Sequence, residues 1–320
     1  MAGVSRPVPP RTAAPRTAVV TMTSAGRLGH VIAQQRMLVR WSPTVARVIV
    51  WLDADPVPEE TAFEGAVVVR VPPGEQGLRL AEGRNRGAEA ARGTGASILV
   101  FLDADCVPGP DLVARYETAA GMHDGALLCG PVTYLPEGVG VGDGDGLADV
   151  THPHAARPAP EPGTTVVATD AEYALFWSLS FAVSASTWER LVGFDPTYEG
   201  YGGEDTDFAF AARSAGVELV WVGGAHAYHQ YHATSSPPWA HLDDILRNGR
   251  IFADRWGAWP MEGWLAAFAD AGAISWVDGG GADGTDGDAG NACTGGGWVR
   301  VGAGGLAASA PPASVSRPRG

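Results

Sequence analysis

The stretch "ASILVFLDADCVP", Ala96–Pro108, decides how the rest of the chain is read. Its apolar run ends in two acids and is bounded by Gly95 and Pro108. A short continuous run of this kind predicts a strand buried on both faces, as in parallel sheets. Fifty positions earlier the same ending occurs in "WLDADPVP", Trp51–Pro58. The match reaches a little further back, with Thr44, Ala46, Val50 and Leu52 answering Thr94, Ala96, Val100 and Leu102. Beyond it the flanks diverge, "EETAFEGA" against "GPDLVARYETAA". A duplicated domain would continue the match, so these are two strand ends under similar constraints. In open α/β sheets the ligand crevice lies beyond the carboxyl ends of the strands, which puts both acid pairs at one crevice.

Working outward, "TAVVTMTS" (Thr17–Ser24) predicts the first strand and "LGHVIAQQRMLVRW" an amphipathic helix. Next come the strands "ARVIVWLDAD" and "AVVVRVP" (Ala66–Pro72), then a helix over "LRLAEGRNRGAEAARG" (Leu78–Gly93). The expected fold class is therefore α/β, a doubly wound, mostly parallel central sheet flanked by helices. In the second half "AEYALFWSLSFAVSASTWERLVGFD" (Ala171–Asp195) predicts an aromatic-rich strand and a helix. "GYGGEDTDFAFAARSAG" (Gly200–Gly216) is a glycine turn opening a helix, "VELVWV" a strand, and "AHAYHQYHATSSPP" a histidine-rich loop. Two more helices follow, over "HLDDILRNGRIFADRWG" and "WPMEGWLAAFADAG". The Gly/Pro-rich Pro136–Thr165 is expected as a mobile loop over the site.

At 320 residues and 45% apolar content the chain has room for a substantial core. Thirty-six acids against 22 bases, a formal charge of −14 with no basic block, argue against nucleic acid and anionic membrane surfaces as partners. Three scattered cysteines, Cys106, Cys129 and Cys293, suggest neither zinc nor a disulfide framework and suit a reducing cytoplasm. No run is long and apolar enough for a transmembrane helix. Residues 1–15 are expected as a disordered leader and 278–320, including "GADGTDGDAG", as a disordered Gly/Ala/Pro-rich tail. Between them, 16–277 is expected as one catalytic domain, with a nucleotide-binding part near 16–130 and an acceptor and catalytic part near 165–277.

Four constellations could carry chemistry. In an extended segment Asp103 and Asp105 would point to one side with Cα atoms about 7 Å apart, able to flank a cation or divide labour between sugar and metal. Carboxylates suit Mg²⁺ or Mn²⁺. The alternative is that one of them caps the helix near Pro110. In "YGGEDTDF" two glycines precede Glu204, Asp205 and Asp207 at a helix start, where acids also favour the helix dipole. Their mutual repulsion would raise one pKa, as a general base requires. In "HAYHQYH", His226, His229 and His232 recur every third residue, so one imidazole could complete a metal site, with zinc held by all three as the rival. Arg84 and Arg86 in "GRNRGAEAA" suit phosphate or ribose contact as well as an exposed helix face.

"RNRG" before "FLDAD", then "GYGGEDTDF", then "AHAYHQ", in that order, resembles a family 2 inverting glycosyltransferase of the GT-A (nucleotide-diphospho-sugar transferase) fold. The later half is similar to the galactosyltransferase group, and the likeness covers roughly Thr17 to Trp259. The resemblance implies a hexosyl-type transfer from a nucleotide-sugar donor, UDP-linked, to a hydroxyl of a carbohydrate, lipid or small-molecule acceptor, with Mn²⁺ or Mg²⁺ as cofactor. It implies a metal held by Asp105, with Asp103 and His229, and Asp103 also at the donor ribose. Donor contacts would be Asp53 or Asp55 at the uracil, Arg84, Asn85 and, in the first strand, Thr21. Asp205 would be the catalytic base and Glu204 an acceptor-hydroxyl ligand. The first strand lacks the usual Pro-Thr-Tyr-Asn ending, and "WLDADP" stands where Asp-Asp-Gly-Ser is common. Trp177, Trp239, Trp256 and Trp259 are candidates for stacking on sugar rings, against core packing. The rivals are a nucleotidyltransferase that makes nucleotide sugars and a non-catalytic carbohydrate-binding relative. The first needs a better phosphate loop than "TSAGRLGH"; the second has no use for a base.

Overall fold

A computed structural model describes residues 17–57, 63–278 and 296–301. The expected leader and most of the expected tail, "GADGTDGDAG" included, lie outside the described residues.

The run that ends in "FLDAD" is the strand β4 (Ile98–Leu102), near the middle of an eight-stranded sheet. Before it in the chain come β1 (Thr17–Thr23), β2 (Ala46–Trp51) and β3 (Val67–Arg70). After it come β5 (Cys106–Pro108), β6 (Leu127–Cys129), β7 (Val132–Tyr134), β8 (Thr165–Val167), β9 (Ser180–Ser184), β10 (Leu219–Val222) and β11 (Ala227–His229). The spatial order is β3-β2-β1-β4-β9-β6-β10-β8. Only β9 and β8 run against the rest. The continuous apolar runs are explained by two-sided burial: Leu99 and Phe101 enter one core while Ile98, Val100 and Leu102 enter the other. β1 divides in the same way, Ala18, Val20 and Met22 against Val19.

Helices cover both faces. One core receives α2 (Leu80–Gly93), α4 (Ala185–Leu191) and α5 (Glu204–Ser214); the other receives α3 (Leu112–Met122) and part of α1 (Leu28–Trp41). Gly87 lets α2 lie directly on the sheet, since a Cβ there would collide with Val20 and Val50. That close seat brings Arg84, one turn earlier, to the sheet's carboxyl end. The aromatics of the second half stack into the same core, Phe101 on Phe181 at 4.5 Å and Phe194 on Phe208 at 4.2 Å. The helix α6 (Leu242–Trp256) closes this part, with Arg255 and Trp256 both held by Asp207.

A second, three-stranded sheet, β5-β11-β7, sits just past the β4 turn. The segment after β7, expected to be mobile, is packed instead: Leu135 and Leu147 join Met37, Val107 and Tyr228, with Val139, Val141 and Val150 against them. Arg40 pairs with Asp145 at 2.6 Å and ties it to α1.

The described residues of Met1–Ser235 and Ala240–Pro260 form one compact unit, and those of Ser236–Trp239 and Met261–Gly320 form another. The second contains α7 (Glu262–Asp270) and a hairpin of β12 (Ile274–Val277) and β13 (Gly297–Arg300). Gly297–Arg300 is thus a strand within the segment expected to be an unstructured tail; Trp298 packs against Trp276 across the hairpin, 5.6 Å between ring centroids.

Candidate active site

The β4 strand ends in a tight turn rather than an extended Asp-Ala-Asp: the Cys106 amide donates to the Asp103 carbonyl at 2.8 Å. This corrects the expectation that the two acids point to one side. The turn hands the chain to β5 and sends the carboxylates to different partners. Gln34, fully buried in α1, fixes it by donating to the carbonyls of Asp103 at 2.6 Å and Cys106 at 2.8 Å. Neither acid caps a helix, because α3 begins only at Leu112, after Asp111.

Asp105 faces two histidines and an arginine. Its carboxylate lies 3.6 Å from His229 Nε2, 3.3 Å from His232 Nε2 and 3.4 Å from Arg27 Nε. Burial alone would raise its pKa, but the His232 hydrogen bond and the charges of His229, His232 and Arg27 outweigh it and hold the carboxyl below its ordinary value. Burial lowers the His229 pKa, opposed by Asp105, which favours the neutral imidazole that ligates metals. One ligand atom each from Asp105, His229 and His232 lies within 4.8 Å of the others, and a carboxylate with two imidazoles is a donor set that suits Mn²⁺ and similar divalent ions. Asp103, which the resemblance implied as a metal ligand, is not in this group; Arg84 draws it aside, Nη2 to Oδ1 at 3.5 Å. His226 is also elsewhere, paired with the Thr133 hydroxyl at 2.7 Å, and burial lowers its pKa to about 4.

The second acidic group enters from α5. Gly202 and Gly203 have φ of 91° and 92°, a left-handed pair that swings the chain sharply into the helix start. Glu204 turns inward and accepts from Arg84 Nη1 at 3.2 Å. Arg84, 3% exposed, therefore joins the two acidic stations as a buried strut, stacked at 5.0 Å over Phe194. Burial and the neighbouring Glu204 charge push Asp205 up to about 7, against Arg84 and the Thr206 amide. Asp103, about a third exposed but deep in the crevice, is likewise raised by burial to about 7, with Arg84 pulling down and Asp105, Glu204 and Asp205 pushing up. Asp207 has a structural role, buried and bonded to Arg255 Nη1 at 2.6 Å and Trp256 Nε1 at 2.7 Å.

Two expected donor contacts are spent inside the fold. Thr21 is fully buried and donates to Gln34 at 2.8 Å, so it is not on the crevice wall. Asn85 clamps the backbone of Phe194 from both ends, at 2.8 and 2.9 Å, and holds the turn before α5. Asp53 does reach the first-strand loop, accepting from the Ala25 amide, while Asp55 is exposed and its carbonyl takes the Trp51 indole at 2.7 Å. Arg86 pairs with Glu89 at the surface. Trp256 is committed to Asp207, and Trp177 to the Arg157 guanidinium at 5.2 Å.

Three participants escaped the sequence. Arg27 sits in "TSAGR", which looked like a weak phosphate loop. Gln34 reads as an ordinary helix residue. Tyr201 lies within "GYGGED", and its hydroxyl is pushed up to about 12 by burial and by Asp205, Glu204, Asp103 and Asp105, the four acids of the crevice. Its place before the two glycines was the available signal.

Residues 164–233, which carry both "GGED" and the histidines, match the family model described as the N-terminal domain of galactosyltransferase. The chain is also similar to S. aureus TarS 1–349, at 12% identity and a TM-score of 0.52 over 74% of this chain and 64% of that one. The fold is of the GT-A glycosyltransferase type. A longer TarS structure aligns with this chain at 13% identity and a TM-score of 0.50, covering 74% and 39% of the two chains. GalNAc-T7, solved with UDP, GalNAc and Mn²⁺, gives 16%, 0.48, 75% and 50%. The chain spans under two thirds of the length of each of these three solved structures. No curated protein sequence matches it. Among the described residues no helix is long and apolar enough to cross a membrane.

Proposed function

We propose that the chain is a divalent-metal-dependent, inverting transferase of the family 2 kind, moving a sugar from a uridine diphosphate donor to an acceptor hydroxyl in the cytoplasm. The observation that carries this reading is the convergence, on one crevice, of a metal-competent triad and a carboxylate held near neutrality. A base with a pKa near ambient pH is ionised often enough to act and basic enough to accept a proton. Asp205 takes the acceptor hydroxyl proton as the new oxygen–carbon bond forms at the anomeric centre. The bond to the diphosphate oxygen breaks, the nucleoside diphosphate leaves with the electron pair, and the centre inverts. Glu204 sustains the Asp205 pKa by its charge and presents the acceptor hydroxyl. Asp105, His229 and His232 would hold Mn²⁺ or Mg²⁺, with Asp103 next to them at the donor ribose and Asp53 towards the uracil. When bound, the cation supplies positive charge against that growing on the diphosphate.

A nucleotide-sugar panel tests this. UDP release with Mn²⁺ should stop with chelator and return with added metal, and Asp205→Asn should abolish transfer while UDP–Mn²⁺ binding survives. Full turnover in Asp205→Asn removes the base assignment; undiminished activity in chelator removes the metal.

A further inference from the structure

Next to the triad lies a cavity of about 590 Å³, lined by Thr133, Tyr134, Pro136 and the segment 149–155. Its size is that of a small-molecule site. Tyr134 connects it to the chemistry: one side of the ring stacks on His229, 4.3 Å between centroids at 20°, yet the residue is 46% exposed. His229 in turn lies 3.6 Å from Asp105, so the cavity adjoins the metal-competent end of the crevice.

The wall is built rather than loose. His154 packs on Tyr134 at 5.3 Å and edge-on to Trp177 at 5.1 Å. Arg157, 5% exposed, is sandwiched between Trp177 at 5.2 Å and Trp221 at 5.3 Å, and it anchors the end of the segment. The His154 amide donates to the Val132 carbonyl at 2.8 Å and the His152 amide to Thr133 Oγ1 at 2.9 Å. Tyr134, Asp149, His152 and His154 are exposed at the opening, with His154 Nδ1 accepting from the Ala156 amide at 3.2 Å.

Their chemistry selects the ligand. None of the lining residues is lysine or arginine and Asp149 is an acid, so the lining itself offers an anionic group no charged partner; Arg157, at the end of the segment, is buried against Trp177 and Trp221. The wall mixes the aliphatic Pro136, Val150, Pro153 and Ala155 with Tyr134, two histidines, two threonines and Asp149, and a lipid chain would leave those polar groups without partners. A pyranose presents C–H groups to a ring face and hydroxyls around its rim. We propose that this cavity is the acceptor subsite and that its ligand is an uncharged glycoside, one ring lying on Tyr134 and its hydroxyls meeting Asp149, His152 and His154. The proposal rests on the glycosyl-transfer reading, because it takes the reacting hydroxyl to be presented past Tyr201 to Asp205.

A binding measurement that needs no turnover tests it. The whole chain is titrated by saturation-transfer NMR and calorimetry with methyl glycosides of glucose, galactose and N-acetylglucosamine and with their neutral disaccharides, against glucuronic acid, glucose 6-phosphate and an alkyl-chain lipid analogue. At least one neutral glycoside should bind best. Tyr134→Ala should weaken it by about tenfold and His154→Ala by about threefold, while Tyr134→Phe keeps it. UDP–Mn²⁺ affinity should stay within about twofold in His154→Ala. If Tyr134→Ala does not fold, His154→Ala and Tyr134→Phe decide. A preference for the anionic or lipid probes, glycoside affinity indifferent to both alanine variants, or no glycoside binding in a wild type that cleaves UDP-sugars overturns the subsite. Glycoside binding at Tyr134 without any UDP-sugar cleavage overturns the transfer reading instead.

Discussion

At Trp51–Asp55 and again at Phe101–Asp105 a buried parallel strand delivers leucine, aspartate, alanine and aspartate to the same edge of the sheet. The two acid pairs nevertheless end in different electrostatic worlds. Asp53 meets a backbone amide and Asp55 meets solvent. Asp103 and Asp105 are pressed into a crevice with Arg27, Arg84, His229, His232 and the acids of α5. What differs is the packing on the turn: Gln34 grips the second pair, and β5 carries the chain under β11, where the histidines wait. An identical tetrapeptide takes its chemistry from what the fold lays across it.

The strongest way to break the comparison is Asp105→Ala. It should remove Mn²⁺ binding and lower transfer by on the order of 10³-fold, because several kcal/mol of charge stabilisation at the leaving diphosphate would be lost. Calorimetric Mn²⁺ titration alongside turnover checks it. Retained metal affinity would mean that the second pair is as peripheral as the first.

The comparison also marks how far the sequence could be read. The sheet was legible because two-sided burial leaves continuous apolar runs, and the acids because they follow those runs. "GGED" was legible as a left-handed turn into a helix. Side-chain direction was not. Asn85 and Thr21 look like ligand contacts by position, but the fold spends Asn85 on Phe194 and Thr21 on Gln34. Gln34, 71 positions before Asp105 (105 − 34), gives no local sign of its task. The choice among three histidines depends on the register of β11 against β5, with His229 opposite Cys106. No spacing rule fixes that register.

Gln34→Leu sharpens the contrast next. It strips donors from the Asp103 and Cys106 carbonyls and the acceptor from Thr21, all in buried or part-buried places. Unsatisfied groups of this kind should cost about 3 kcal/mol of stability, read by thermal or urea unfolding, with Mn²⁺ affinity falling too. Unchanged stability would show that the turn holds without it.

The raised pKa of Asp205 gives a smaller, signed effect. Transfer should fall about tenfold per pH unit below about 7 and level off above it, as the base becomes protonated. Stability should move the opposite way. Between the ordinary carboxyl value of 3.8 and about 7 the folded chain holds a proton that the unfolded chain has lost, so the metal-free protein gains stability as pH falls from 8 towards 5. Asp205→Asn should remove that share of the slope. A profile flat through pH 7 in both measurements would put the carboxyl at its ordinary value.

The first acid pair should give the smallest changes, and they separate its two members. Asp53→Ala takes the acceptor from the Ala25 amide, at an exposed place where water can replace it. The loop after β1 loosens, and UDP affinity should drop by no more than about fivefold, the equivalent of one solvated hydrogen bond, with Mn²⁺ affinity untouched. Among the described residues Asp55 is engaged through its carbonyl, so Asp55→Ala should stay within about twofold by the same titration. If Asp55→Ala proved the more damaging, the exposed carboxylate would be the one that meets the uracil, and Asp53 would be a brace for the loop. The asymmetry between the two Asp-Ala-Asp turns would survive either result, because among the described residues neither Asp53 nor Asp55 pairs with an arginine or a histidine in the way Asp103 and Asp105 do.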